Sequence, residues 1–135
     1  MRFPILTPEE AAELFFNDAK CGFSGFTAPG SPKVVTQAIA AKAERLHAQG
    51  EPFKINIITG ASTSDMCDGI LARANAIGKR TPYQNHPDLR KRINSHDAHY
   101  FDLHLSEAAQ KLRYGFFGDK LDIAIIEVSD IQDDG

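Results

Sequence analysis

The sequence predicts an α/β protein built on a mainly parallel sheet with flanking helices, and three observations carry that prediction. Residues 53–59 form a short run rich in branched side chains, bounded by Gly50-Glu51-Pro52 before and Gly60 after, which is the outline of a core strand. A loop of small side chains, Gly60-Ala61-Ser62-Thr63-Ser64, follows it. Met66, Ile70, Ala74 and Ile77 then recur at helical spacing, with Ser64 or Asp65 placed to cap the first turn. Upstream, residues 20–26 and the Gly- and Pro-rich loop 25–32 repeat the same passage from strand through loop into helix. Two such units in succession imply parallel strands.

Taken in order, the first helix has a strong start: Thr7 as N-cap, Pro8 at the first helical position and Glu10 completing a capping box. Ala11, Leu14, Phe15 and Ala19 give it one apolar face. Residues 20–26 read as a short strand despite Gly22 and Gly25. Ser31 and Pro32 repeat the cap-plus-proline entry, and Val35, Ile39 and Leu46 mark the buried face of a second helix ending near Gly50. The third helix, after the 60–64 loop, is expected to run until Pro82 breaks it. A short basic helix over 87–94, a strand over 100–105 and a helix capped by Ser106 follow. Residues 121–128 are nearly all apolar apart from Asp122 and Glu127, the pattern of a strand covered on both faces.

Length and composition bound the class. A chain of 135 residues suits one domain, or part of one, and 42% hydrophobic with 24% charged residues lies in the globular range. No apolar run approaches the roughly 18 residues of a membrane span. Thr7-Pro8-Glu9-Glu10 interrupts what would be the apolar core of a signal peptide, so a soluble, cytoplasmic protein is expected. A net charge of −3 offers no footprint for nucleic acid, although Lys79-Arg80 with Arg90-Lys91-Arg92 could attract a small anion. Cys21 and Cys67 have neither metal nor redox spacing and read as free thiols.

Neither glycine-rich loop matches a dinucleotide fingerprint or a Walker loop. Lying at two strand-to-helix junctions of neighbouring parallel strands, they point to a shared site, with the helix amides favouring an anion and Ser62 as the ligand-facing hydroxyl. No Gly-x-Ser-x-Gly elbow supports a serine nucleophile. His96, His99 and His104 with Asp97 and Asp102 invite a metal reading, yet their spacing matches no metal motif and a solvent-facing polar segment fits better. Glu127, a carboxylate in an apolar strand, needs either a partner or the mouth of a cleft; the alternative is the strand's wet end.

Taken together, several segments resemble one family. They are Phe23-Ser24-Gly25-Phe26-Thr27-Ala28-Pro29-Gly30-Ser31-Pro32-Lys33, Ile58-Thr59-Gly60-Ala61-Ser62-Thr63, Asp68-Gly69 with Leu71-Ala72-Arg73-Ala74, Arg92-Ile93-Asn94, Tyr100-Phe101-Asp102 with His104-Leu105, and Ile123-Ala124-Ile125-Ile126-Glu127. In this order they resemble the amino-terminal part of the acetyl-CoA hydrolase/transferase family, which includes succinate:acetate CoA-transferases. The resemblance implies an incomplete amino-terminal domain of a class I CoA-transferase fold, covering residues 1–135, in an enzyme usually assembled as a homodimer. It implies transfer of CoA from a short acyl-CoA to a small carboxylate through a glutamyl-CoA thioester, with CoA as substrate and no cofactor. The nucleophilic glutamate belongs to a second domain, expected beyond Gly135, so this chain alone is expected to be inactive and Glu127 is not the nucleophile. The first domain's share of the cleft then falls on Gly25, Thr27 and Gly30, on Gly60 and Ser62, and on Asn85, with Pro29 departing from the commoner loop versions. The competing class is a stand-alone α/β module that binds a small anion without catalysis.

Overall fold

The computed structural model describes residues 3–61, 64–118 and 120–132. Five parallel strands form one sheet in the order β4-β3-β2-β1-β5, where β1 is Lys20–Phe23, β2 Ile55–Thr59, β3 Ile77–Thr81, β4 His99–Tyr100 and β5 Ile123–Ile125. The helices are α1 (Pro8–Glu13), α2 (Val34–Ala48), α3 (Ile70–Arg73), α4 (Pro87–Asn94) and α5 (Leu105–Arg113), with a π-helical turn at Asp65–Gly69 leading into α3. No described helix is long and apolar enough to cross a membrane.

The main core lies on one face of the sheet. Cys21, Phe23, Ile55, Ile57 and Ile77 from the strands meet Phe15, Ile39, Ala43, Leu71 and Leu89 from the α1 to α4 region, all essentially removed from solvent. The opposite face is covered more thinly. There Leu105, Ala108, Ala109 and Leu112 of α5 line a groove against Gly22, Ile58 and Ala124, and α5 buries no residue completely.

Several expectations hold in detail. The Thr7 capping box is complete, with Glu10 N–H to Thr7 Oγ1 at 3.2 Å and Thr7 N–H to Glu10 Oε2 at 2.8 Å. Gly50, at φ +79°, lies just beyond the end of α2, where a left-handed residue closes a helix.

Other expectations need correction. The third helix does not run to Pro82. It stops at Arg73, because Asn75 takes φ +53° and Ala76 N–H returns to Leu71 C=O at 2.9 Å, a helix-terminating pattern in which asparagine replaces the usual glycine. Residues 77–81 then form an additional strand, so Ile77 is a strand residue. The π turn also shifts the buried face by one position, to Cys67 and Leu71 instead of Met66 and Ile70. α1 itself buries Ala12, and of the residues expected on its apolar face Phe15 and Ala19 are buried beyond its end while Leu14 is exposed.

Ser31 does not cap α2. Lys33 occupies that position without a side-chain hydrogen bond, and Ser31 Oγ donates instead to Ala28 C=O at 3.0 Å. The strand expected over 100–105 is limited to His99–Tyr100, since Thr81 Oγ1 captures Phe101 C=O at 2.8 Å as the chain turns away toward α5, whose N-cap is His104 and not Ser106. The expected doubly covered strand at 121–128 shortens to Ile123–Ile125. Among the described residues it pairs with β1 alone and sits at the sheet edge, which leaves Ile126 exposed.

Candidate functional site

The strand order reverses between β1 and β5, and β1, β2 and β3 end side by side, so their carboxyl-end loops meet in the position where open α/β sheets bind ligands. The loops after β1 and β2 are joined directly. Thr27 N–H donates to Ala61 C=O at 2.8 Å, and Ser31 Oγ, fully buried, lies 2.8 Å from Ser64 Oγ. Thr36 of α2 adds a third tie, its Oγ1 donating to Met66 C=O at 2.6 Å.

The backbone of the first loop requires glycine at Gly25. Its φ is +124°, and a β-carbon there would lie 2.7 Å from Ser31 N and 2.8 Å from Ser31 Cα. Thr27 also adopts positive φ, +56°, and is exposed. Gly30, at φ +71°, passes its carbonyl to Ser24 Oγ at 2.6 Å. Gly60 is exposed beside this loop, with room for only an ordinary contact to Gly25 C=O. Gly25, Thr27, Gly30 and Gly60 are therefore brought together. Ser62 lies outside the described residues.

Asn85 sits exposed on the next loop, between β3 and α4. That loop is anchored at its start by Tyr100, whose hydroxyl donates to Pro82 C=O at 3.0 Å and whose phenol is pushed above its ordinary pKa chiefly by burial. At its end, His86 caps α4, accepting from Asp88 N–H at 3.3 Å.

Glu127 finds a partner. Lys33 Nζ donates to both of its carboxylate oxygens, at 2.6 Å to Oε2, and Glu127 N–H donates to Ser24 Oγ at 2.9 Å. Both side chains remain partly solvated, so the pair clips the end of β5 to the start of α2 and contributes modestly to stability.

The structure adds detail to two expectations about charge. The segment after the 60–64 loop is a π turn followed by four α-helical residues, and Ser64 C=O takes the N–H groups of Cys67 and Gly69 at 3.1 and 3.3 Å. Such a short element supplies little helix dipole for an anion. The basic cluster is also dispersed: Arg80 is fully buried against Asp68, Arg92 donates to Ala72 and Arg73 carbonyls, and Lys91 pairs with Asp88.

The Asp68–Arg80 pair went unnoticed in the sequence. Arg80 Nε and Nη2 donate to the two Asp68 oxygens at 2.9 and 3.1 Å, and Nη1 donates to Thr81 C=O at 2.9 Å. Burial pushes the Asp68 carboxyl up, against the opposing pull of the guanidinium. Its one sequence signal was a carboxylate within Met66-Cys67-Asp68-Gly69-Ile70-Leu71.

A different set of potential ligands appears in place of the histidines at 96, 99 and 104. Among the described residues, Asp65, His86 and Asp88 bring one ligand atom each within 4.8 Å of one another. Arg73 donates to Asp65 and Asp88 at 2.7 and 3.0 Å and offsets part of their charge, so a cation would have to compete with the guanidinium.

Fold and loops define the class: an α/β domain on a parallel sheet whose loops after β1 and β2 are tied to each other at the carboxyl ends of their strands. The chain belongs to the acetyl-CoA hydrolase/transferase family, whose N-terminal-domain model matches residues 4–135. It is 46% identical over 130 residues to a propanoyl-CoA:succinate CoA transferase of Escherichia coli K12, covering 96% of this chain and 26% of that protein. It is 40% identical over 131 residues to a succinyl-CoA:acetate CoA-transferase of Clostridium kluyveri, covering 97% and 24%. An acetyl-CoA hydrolase of Yarrowia lipolytica is 39% identical over 120 residues, covering 84% and 23%. The chain thus spans about a quarter of the length of the curated relatives it matches. In fold it resembles an acyl-CoA transferase from E. coli O157:H7 solved as a thioester complex with CoA, with a TM-score of 0.67 at 17% identity over 84% of this chain and 23% of that one.

Proposed function

We propose that this chain is the amino-terminal portion of an enzyme that moves CoA between a short acyl-CoA, such as acetyl-CoA or succinyl-CoA, and a small carboxylate. The observation that carries the reading is the joining of the loops after β1 and β2 by Thr27–Ala61 and Ser31–Ser64, because these are the loops that the family resemblance implies line the cleft. The names of the relatives, which pair acyl-CoA with carboxylates or with hydrolysis, support the same chemistry.

In this reading a glutamate outside the chain attacks the thioester carbonyl and expels CoA thiolate, leaving a mixed anhydride. The thiolate then attacks the glutamyl carbonyl, forming glutamyl-CoA and releasing the first carboxylate; the acceptor carboxylate reverses the sequence. This chain's part is to bind and orient the carboxylates through Ser62, Asn85 and the loop backbone at Gly25, Thr27, Gly30 and Gly60. No cofactor beyond CoA as substrate is invoked. The working assembly is a cytoplasmic homodimer.

The test uses the full-length protein. Incubation with acyl-CoA should add the mass of CoA less one water to a peptide whose labelled glutamate lies outside these residues, and the CoA should pass to an added carboxylate. Binding of small anions with no adduct and no exchange would favour the binding module instead. Ser62→Ala should raise KM for the carboxylate while leaving the fold intact, and an unchanged KM with every acceptor would remove Ser62 from the site.

A further inference from the structure

We infer that the buried Asp68–Arg80 pair is a positioning device that sets the spacing between the cleft loops bearing Gly60 and Asn85, and through it the affinity for the carboxylate substrate; this rests on the function proposed above. As a source of stability the pair is a poor choice, since apolar side chains of similar volume usually serve a core as well or better. Yet both side chains are wholly removed from solvent, and the guanidinium makes two parallel bonds to the carboxylate and a third to Thr81 C=O. Such a fork fixes relative orientation as well as distance, which an apolar contact does not.

Its two ends lie on the elements that flank the two loops, the π turn after the Gly60 loop and β3 before the Asn85 loop. Asp68 belongs to the π turn that continues the β2 loop, and the same turn is held by Ser64 C=O and by Thr36. Arg80 grips the carbonyl of Thr81, immediately before Pro82 and the stretch that carries Asn85. The far end of that stretch returns to the same turn. His86 Nε2 lies 3.2 Å from Asp65 Oδ1, and a β-carbon at Gly69 would meet the His86 ring at 2.8 Å. The Asn85 loop is therefore pinned to the π turn at both ends, with Arg80 as the buried pin. A π turn at this place follows the tendency of such irregular turns to fall at functional sites.

The test compares the full-length wild type with the double variant Asp68→Leu/Arg80→Met, which removes both charges together and leaves no orphan. We expect its melting temperature to match or exceed the wild type. We also expect KM for the carboxylate to rise by about 10- to 100-fold, the effect of a displacement near 1 Å, with KM for acyl-CoA little changed. Amide exchange in peptides covering 64–69 and 82–88 should quicken while the rest of the domain stays protected. A stable double variant with wild-type KM and wild-type exchange would overturn the inference. Should the double variant fail to fold, Arg80→Lys keeps the charge pairing and loses the fork. Its carboxylate KM should rise in the same direction, and an unchanged KM with unchanged exchange again overturns the inference. A wild type that transfers CoA to no carboxylate counts against the proposed function, and the exchange measurement still decides the positioning role.

Discussion

Replacing Gly25 by alanine tests the loop geometry most directly. The backbone there has φ +124°, a conformation that L side chains rarely adopt, and the added β-carbon would sit 2.7 and 2.8 Å from the Ser31 backbone. Gly50 supplies the control: it also has positive φ, +79°, but a β-carbon there meets nothing within 4 Å. Gly50→Ala therefore costs only the left-handed penalty, about 1–2 kcal/mol. Gly25→Ala adds a backbone collision that the loop relieves only by moving Ser31 off Ser64, so its total should be about 3 kcal/mol or more, joining strain with a lost buried hydrogen bond. At roughly 3–4 °C per kcal/mol for a domain of this size, calorimetry should show a fall of about 10 °C for Gly25→Ala against about 4 °C for Gly50→Ala. Equal melting temperatures would refute the claim that the first loop is held against Ser31 in this conformation.

Other outcomes follow from the same structure. Hydrogen bonds from Arg73 hold the Asp65 and Asp88 carboxyls below their ordinary value of 3.8, so their contribution is full above that pH and is lost as the pH falls through the lowered values. Arg73→Gln should therefore flatten the acid limb of a stability-against-pH curve, and an unchanged limb would show that the ion pairs contribute nothing. Burial pushes the Cys21 thiol up to about 12, and Cys67 is equally enclosed, so neither should react with a thiol reagent at pH 8 until the protein is unfolded. Thr7→Ala, which opens the capping box, should cost about 1 kcal/mol in thermal melts.

How much of this was legible in the sequence depends on whether the signal was local. The α1 cap, the α2 terminus at Gly50, the proline start of α4 and the strand–loop–helix repeat all rest on contacts between near neighbours, and all appear in the structure. The meeting of the loops after β1 and β2 was also legible, because parallel neighbouring strands must bring their carboxyl ends together. What was hidden depended on one short segment. Ala74 and Ile77 fit a helical period, and nothing in that period reveals that Asn75 turns left-handed and that the helix ends four residues after the π turn has already shifted its face.

The early end of the helix is also what brings Asp68 and Arg80 together. With the helix read as continuous, Asp68 and Arg80, twelve residues apart, would stand about 18 Å from each other along one axis and could never touch. Once the chain leaves the helix at Arg73 and returns as β3, the same separation brings them within hydrogen-bonding distance at the carboxyl end of the sheet. The lone carboxylate among apolar neighbours then has its partner, and the charge expected to attract an anion at Lys79-Arg80 is partly spent internally. The partner also carries the site outward: the strand that delivers Arg80 leads straight into the loop bearing Asn85. On the proposed reading, the buried ion pair would place the Asn85 loop without itself touching the substrate, because Asp68 and Arg80 are wholly removed from solvent.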